Sequence, residues 1–221
     1  MKLLSMFLLS FGISGLVIAQ RPVSPVISAT KMNVVYRGIP NPIDVAVPGR
    51  TWNELEVSVD SIHTWESLGE GSFVLTPSTD QRIRSVEVQV QIPNALPEEQ
   101  ILLTREFRIK RIPNPSLFWA GKTPTDKYIT KAEVLSLSPV AARMEGFDFE
   151  VQLRVVTFWL GVERQGVFKY FQSDTNRLSE DMKSILRAAN KGDRIWIGNA
   201  MVSIPDGTER ELPPLLLTLK G

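Results

Sequence analysis

The seven residues from 85 to 91, SVEVQVQ, alternate without a break. Val86, Val88 and Val90 fall on one parity, and Ser85, Glu87, Gln89 and Gln91 on the other. Extended chain sends successive side chains to opposite faces, so this stretch predicts a strand with one face in a core and one in water. Residues 147–155, FDFEVQLRV, repeat the pattern. Their apolar phase then slips at Val155-Val156, because Phe158 and Leu160 sit on the other parity. A bulge, or a strand crossing between sheets, reconciles the two phases. Further strands are predicted over 32–37, 43–47, 55–59, 72–76, 100–110, 127–137, 167–171, 194–203 and 209–220. Turn chemistry separates them at Pro48-Gly49, Gly69 to Gly71, Pro93-Asn94 and Pro205-Asp206-Gly207. Short strands punctuated at this spacing predict an all-β chain of two tandem Ig-like β-sandwich domains.

One segment departs from this rule. Residues 179–191 predict a helix inserted in the second sandwich. Ser179 is the N-cap, Glu180 and Asp181 occupy the positive first turn, and Met182, Ile185, Leu186 and Ala189 form the apolar stripe. Lys191 and Gly192 are expected to close it. The split between the sandwiches falls near residues 111–115, RIPNP, where two prolines remove backbone donors and bar helix. The string Ile-Pro-Asn-Pro also occurs at 39–42. On so short a match, chance and the preference of proline for turns outweigh a duplication.

Residues 1–19 read as an export signal: Lys2, an apolar run with small polar breaks, and Val17-Ile18-Ala19 before the expected cleavage. The expected layout is a signal peptide over 1–19, a first sandwich over 20–112 and a second over 113–221. Cleavage removes Lys2 and no acid. The 25 basic residues less that lysine then balance the 24 acidic ones. A neutral chain without basic clusters is not built to grip nucleic acid. The chain has no cysteine, which removes thiolate metal sites and thiol nucleophiles.

Chemistry-bearing patterns are sparse. His63 is the one histidine; it is expected to point outward, with Ile62 inward, and it lacks a nucleophile motif. Asp148 and Glu150 lie two apart on a predicted strand and read as a solvated face. Asp206-Gly207 reads as turn chemistry. No catalytic residue, cofactor or metal site is predicted. Of the five tryptophans, Trp159 and Trp196 read as core or sheet packing, whereas Trp52 and Trp119 lie beside turns where exposure is expected.

The stretch 28–49, SATKMNVVYRGIPNPIDVAVPG, resembles the opening of the third periplasmic domain of the gliding-motility family GldM. Residues 106–115, EFRIKRIPNP, are similar to that family's junction between its third and fourth domains. Residues 146–151, GFDFEV, resemble the start of a long strand in the fourth, and 192–195 with 205–212 its closing hairpin. These strings follow the family's order. Pro40 departs from it, standing where the family usually carries an acidic residue. The resemblance implies two β-sandwiches, the last with a helix, at the tip of a dimeric periplasmic shaft without enzymatic activity. It implies envelope proteins as partners, secretion-machinery ring components among them, with a homodimer as a further option. No motor-type spanning helix is recognised after the leader.

The expected function is therefore a non-catalytic, exported interaction module, periplasmic or secreted. The alternative is a carbohydrate-binding module or surface adhesin on the same scaffold. Loops carry function on rigid scaffolds. Candidate partner contacts are Tyr36, Arg37 and Asn41 in the first turn, Trp52 and Trp119 beside turns, and Asp174, Asn176 and Arg177 in a polar loop.

Overall fold

The computed structural model describes residues 32–93 and 101–221. The export signal, the start of the GldM-like stretch and much of the Pro93-Asn94 turn lie outside those residues. Four strands form one sheet of the N-terminal unit: β1 (Val34–Tyr36), β3 (Glu56–Val59), β6 (Ser85–Gln91) and β7 (Ile101–Lys110), in the order β1-β7-β6-β3. Three more, β2 (Asn41–Asp44), β4 (Thr64–Gly69) and β5 (Ser72–Thr76), form the second in the order β2-β5-β4. The alternation in β6 places Val86, Val88 and Val90 inside. Val35, Leu75, Val86, Val88 and Ile109 make one core drawn from both sheets, so the two layers pack as a sandwich.

The C-terminal unit is built on one six-stranded sheet. It contains β9 (Tyr128–Thr130), β11 (Arg154–Arg164), β12 (Val167–Ser173), β13 (Arg194–Ile204), β14 (Thr208–Leu212) and β15 (Leu215–Lys220). The order is β12-β11-β13-β15-β9, with β14 also pairing β13. The opposite layer is a two-stranded ribbon of β8 (Ser116–Phe118) and β10 (Ala141–Arg143), with helices α1 (Lys131–Leu135) and α2 (Glu180–Ala188). Leu117, Val134, Leu160, Met182, Leu186, Ile195, Ile197 and Leu217 are fully buried in a core to which both layers contribute. The all-β reading and the tandem sandwiches stand.

The phase slip at Val155-Val156 is a bulge, as the parity predicts. Val155 pairs Val202 and Thr157 pairs Met201, so Val156 is the extra residue on β11. A second shift follows, with Trp159 opposite Gly198, and it leaves β13 with the extra residue. Asn199 absorbs it at φ 45. Val155 and Phe158 consequently both face the core.

Several local expectations are corrected. Residues 147–153 alternate but join no ladder; Phe147, Phe149, Val151 and Leu153 lie half-buried against the core from an irregular extended segment. The predicted strand over 127–137 stops at Thr130, whose side chain and Glu133 form a capping box that starts α1. The predicted strand over 209–220 is two strands, divided by Pro213 and Pro214, which have no backbone donor to give. α2 begins at its Ser179 cap, whose Oγ accepts the Met182 N–H at 3.2 Å, but ends at Ala188. Gly192, at φ 90, serves the turn that opens β13 rather than the helix end. Strands β4, β8 and β10 lie outside every predicted strand. No helix among the described residues is long and apolar enough to cross a membrane.

Candidate functional site

The turn between β1 and β2 is held from inside. The Asn41 amide oxygen accepts the Tyr36 N–H at 2.7 Å, and its amide nitrogen donates to the carbonyls of Tyr36, Ile39 and Leu75 at 2.9, 2.8 and 3.2 Å. The Arg37 guanidinium donates to the Ser78 carbonyl at 3.0 Å, to that of Ile83 at 2.5 Å and to that of Asp80. Arg37 and Asn41 are 1% and 2% exposed. The exposure that made them partner candidates is therefore absent. Burial lowers the Arg37 pKa from its ordinary value, with Arg84 adding to the effect.

This turn is half of a junction between the two units. Tyr36 packs edge-on against Phe147 and Phe149, with ring centroids 4.7 and 5.2 Å away. Such pairs are worth about 0.5–1.5 kcal/mol each beyond their buried area. Ile39 is buried in the C-terminal core. Gly38 has φ 68, and a Cβ there would sit 2.2 Å from the Pro205 carbonyl oxygen. From the other side, the Asp206 carbonyl accepts the Gln81 amide at 2.8 Å. Asp206 is fully buried; its carboxylate accepts the Thr208 Oγ1 proton at 2.5 Å and pairs with Arg210. Arg210 in turn donates to the Ile112 carbonyl at 2.7 Å and to Asn114 Oδ1 at 2.8 Å. Both Ile-Pro-Asn-Pro strings thus sit at this junction.

The remaining candidates divide by exposure. Trp119 is fully buried and its Nε1 donates to the Ser138 carbonyl at 3.0 Å, so its expected exposure is overturned. Turn geometry there tucks the ring inward: Ala120 and Gly121 have φ 48 and 80. Trp52 is 50% exposed, in a 3-10 turn over Trp52–Glu54. Asp174, Asn176 and Arg177 are exposed together in the loop from β12 to α2. The Ser173 hydroxyl bonds the Arg177 carbonyl at 2.8 Å, and the Asn176 carbonyl accepts the Val140 N–H at 2.8 Å. Asp174 and Asn176 border an open groove of about 360 Å³ that Leu153 and Arg154 also line.

His63 is inside and Ile62 outside, the reverse of the expectation. A tight turn breaks the alternation: the Asp60 carbonyl accepts the His63 N–H at 3.1 Å. His63 Nδ1 accepts the Ser78 N–H at 3.0 Å, so the neutral ring carries its proton on Nε2. Burial depresses its pKa, opposed by Asp60 and aided by Arg37. Asp148 and Glu150 are exposed. Among the described residues no cluster of three or more histidine, cysteine or acidic groups could hold a metal.

Sequence reasoning missed an aromatic outer face on the six-stranded sheet. Phe158, Leu160, Val162, Ile195 and Ile197 point into the core, so Trp159, Trp196, Phe168 and Tyr170 project from the other side. The Phe168 ring stands edge-on to Trp159 and Trp196 at 5.8 and 6.4 Å and lies near-parallel to Tyr170 at 5.9 Å. Two mid-strand glycines make room for it. A Cβ on Gly161 would lie 2.5 Å from the Phe168 ring, and one on Gly198 would lie 2.4 Å from the Trp159 ring. Glycine weakens a strand unless something must approach closely, and here the rings do. Val167, Phe168 and Tyr170 are 60%, 44% and 61% exposed. The signal was available: Ile195, Trp196, Ile197 and Gly198 alternate, and an inward isoleucine pair sends the tryptophan outward.

Comparison with known proteins gives two family matches. Residues 24–110 match the GldM third domain, and residues 113–220 match the GldM C-terminal domain. No curated protein matches the chain. Among solved structures, the first two extracellular domains of chicken VE-cadherin are similar at 12% identity and a TM-score of 0.25, covering 84% of this chain and 95% of that one. The two family matches run in order through nearly the whole described chain, and the chain belongs to the GldM family, of which it carries the third and C-terminal domains.

Proposed function

We propose that the protein is an exported, non-catalytic interaction module of the cell envelope, periplasmic or secreted, that works by surface contact with envelope proteins beside or within a secretion or gliding machine. The observation that carries this reading is the aromatic outer face of the six-stranded sheet. Large rings held in place over glycines and left half in water are the anchors that protein interfaces use. The loop of Asp174, Asn176 and Arg177 continues from the end of β12 and supplies a polar rim; Trp52 is a separate candidate contact on the N-terminal unit. We place the boundary between the domains at residues 112 and 113, with a cleaved leader over 1–19. The junction supports a module that presents its two units in one fixed arrangement.

The test is affinity capture from the envelope fraction of the producing cell, with light scattering on the pure protein. The reading expects a discrete protein partner with wild-type bait and its loss with Phe168→Ser/Tyr170→Ser. Recovery of no partner, with a monomer in solution, contradicts it. A second reading, glycan binding, draws on a shallow recess of about 320 Å³ lined by Trp159, Glu163, Gly166, Phe168 and Trp196. It expects sugar-dependent quenching of tryptophan emission; unchanged emission across a glycan panel retires it.

A further inference from the structure

β12 pairs with β11 on one side, and among the described residues no strand lies on its other side. Its register with β11 runs from Phe158–Ser173 to Arg164–Val167 without a shift, so the edge is not bulged. An unbulged, apolar, exposed edge offers a row of free N–H and C=O groups, and folded proteins normally blunt or cover one. Here a single lysine, Lys169, interrupts Val167, Phe168, Tyr170 and Phe171.

The two faces of this edge are prepared differently. On the core side an open slot of about 280 Å³ lies between β12 and α2, lined by Val162, Val167, Lys169, Ile185 and Ala188, with Arg164 beside them. α2 is fixed against that slot. The Lys131 ammonium donates to the carbonyls of Leu186, Arg187 and Ala189 at 3.2, 2.8 and 2.5 Å, and Arg164 donates to that of Ala188. Cations at a helix C-terminus satisfy both its free carbonyls and its dipole. On the outer side stand Phe168 and Tyr170. A strand laid beside β12 would drop every second side chain into the slot and set the others against those rings. Arg164 is already engaged by Asp193 at 2.8 Å, whereas Lys169 makes no ion pair among the described residues. The slot is apolar with one unanswered positive charge.

We infer that the free edge of β12 takes an extended segment of another protein by strand addition, with apolar side chains of that segment filling the slot and a carboxylate meeting Lys169. This rests on the interaction-module reading and names the chemistry of the partner.

The probe is a labelled synthetic peptide, Thr-Val-Thr-Glu-Thr-Val-Thr, titrated into the full mature chain by fluorescence anisotropy, with hydrogen–deuterium exchange read over β12. Binding with protection of the β12 amides is expected, with about a fivefold preference over the peptide carrying Lys for Glu. Lys169→Glu should reverse that preference. N-methylation of alternate peptide amides, which leaves the protein unaltered, should abolish binding on one amide parity only. No binding, protection elsewhere, or a preference untouched by Lys169→Glu overturns the inference. So does a stable dimer that buries β12, since the occupant is then a second copy. Envelope capture by wild-type bait with the unmodified peptide failing to bind β12 sinks the edge alone, whereas wild-type bait that captures nothing sinks the interaction reading itself.

Discussion

Gly38→Ala strikes the junction at its tightest point. The added methyl would lie 2.2 Å from the Pro205 carbonyl oxygen and 2.9 Å from its carbon, both backbone atoms of the other unit. The residue also has φ 68, where a side chain costs about 1–2 kcal/mol. Relieving the overlap requires the β1–β2 turn to move or the units to part. Overpacking of this kind costs about 1–3 kcal/mol. The total is about 2–5 kcal/mol. Gly49→Ala isolates the junction contribution: Gly49 has φ 79 with nothing within 4 Å, so it loses only the backbone part. Thermal unfolding of both variants gives the comparison. Gly38→Ala should melt below Gly49→Ala by about 2–12 °C. It should also separate one transition into two as the units uncouple. Equal midpoints, or a Gly38→Ala variant that still melts in one step with wild-type cooperativity, refute a tight junction.

Other outcomes follow from the same geometry. Asp206→Ala removes a fully buried carboxylate and leaves the nearly enclosed Arg210 guanidinium with neutral acceptors only, and should cost about 3–5 kcal/mol in denaturant unfolding. His63 has a folded pKa below its usual 6.5, so the unfolded chain takes up the proton first. Its contribution is complete above pH 6.5 and is lost as pH falls through the folded value; denaturant midpoints should decline below pH 6.5 in wild type and stay flat over that window in His63→Gln. The capping carboxylate Glu133, held at about 2 mainly by its hydrogen bond to Lys122, acts in a separate and more acidic window that opens below its ordinary 4.5. Gly198→Ala should lift the Trp159 ring off the sheet and shift tryptophan emission to the red at a cost of about 1–3 kcal/mol, with circular dichroism unchanged.

Where one face of a segment is buried and the other wet, the alternation could be read directly. β6 and the bulge at Val156 were legible for that reason. Residues 147–153 alternate just as cleanly, yet their apolar side chains pack against the core without a partner strand. Parity reports which side is buried, not whether hydrogen bonds lie alongside. α1 was hidden because Thr130 and Glu133 form a cap inside a stretch of β-type residues. The junction was hidden because its contacts join residues far apart in sequence: Gln81 to Asp206, Arg210 to Ile112. Arg37 and Asn41 looked like exposed turn residues, and nothing local says that the distant carbonyls of Leu75, Ser78, Asp80 and Ile83 draw them inside. The alternation over 195–198 put Trp196 opposite the isoleucine pair, but gathering Trp159, Phe168 and Tyr170 onto that same face required the pairing of β11 with β12 and β13. That is a tertiary fact, although the glycines at 161 and 198 marked it.

On the proposed function, the aromatic sheet face meets another protein in the envelope. Photo-crosslinking in the producing cell tests it at one residue. With Tyr170→p-benzoylphenylalanine, irradiation should yield a discrete adduct with a different protein, and the same replacement at the exposed Glu70 should yield none. No adduct from position 170, or the same adducts from both positions, would contradict the claim.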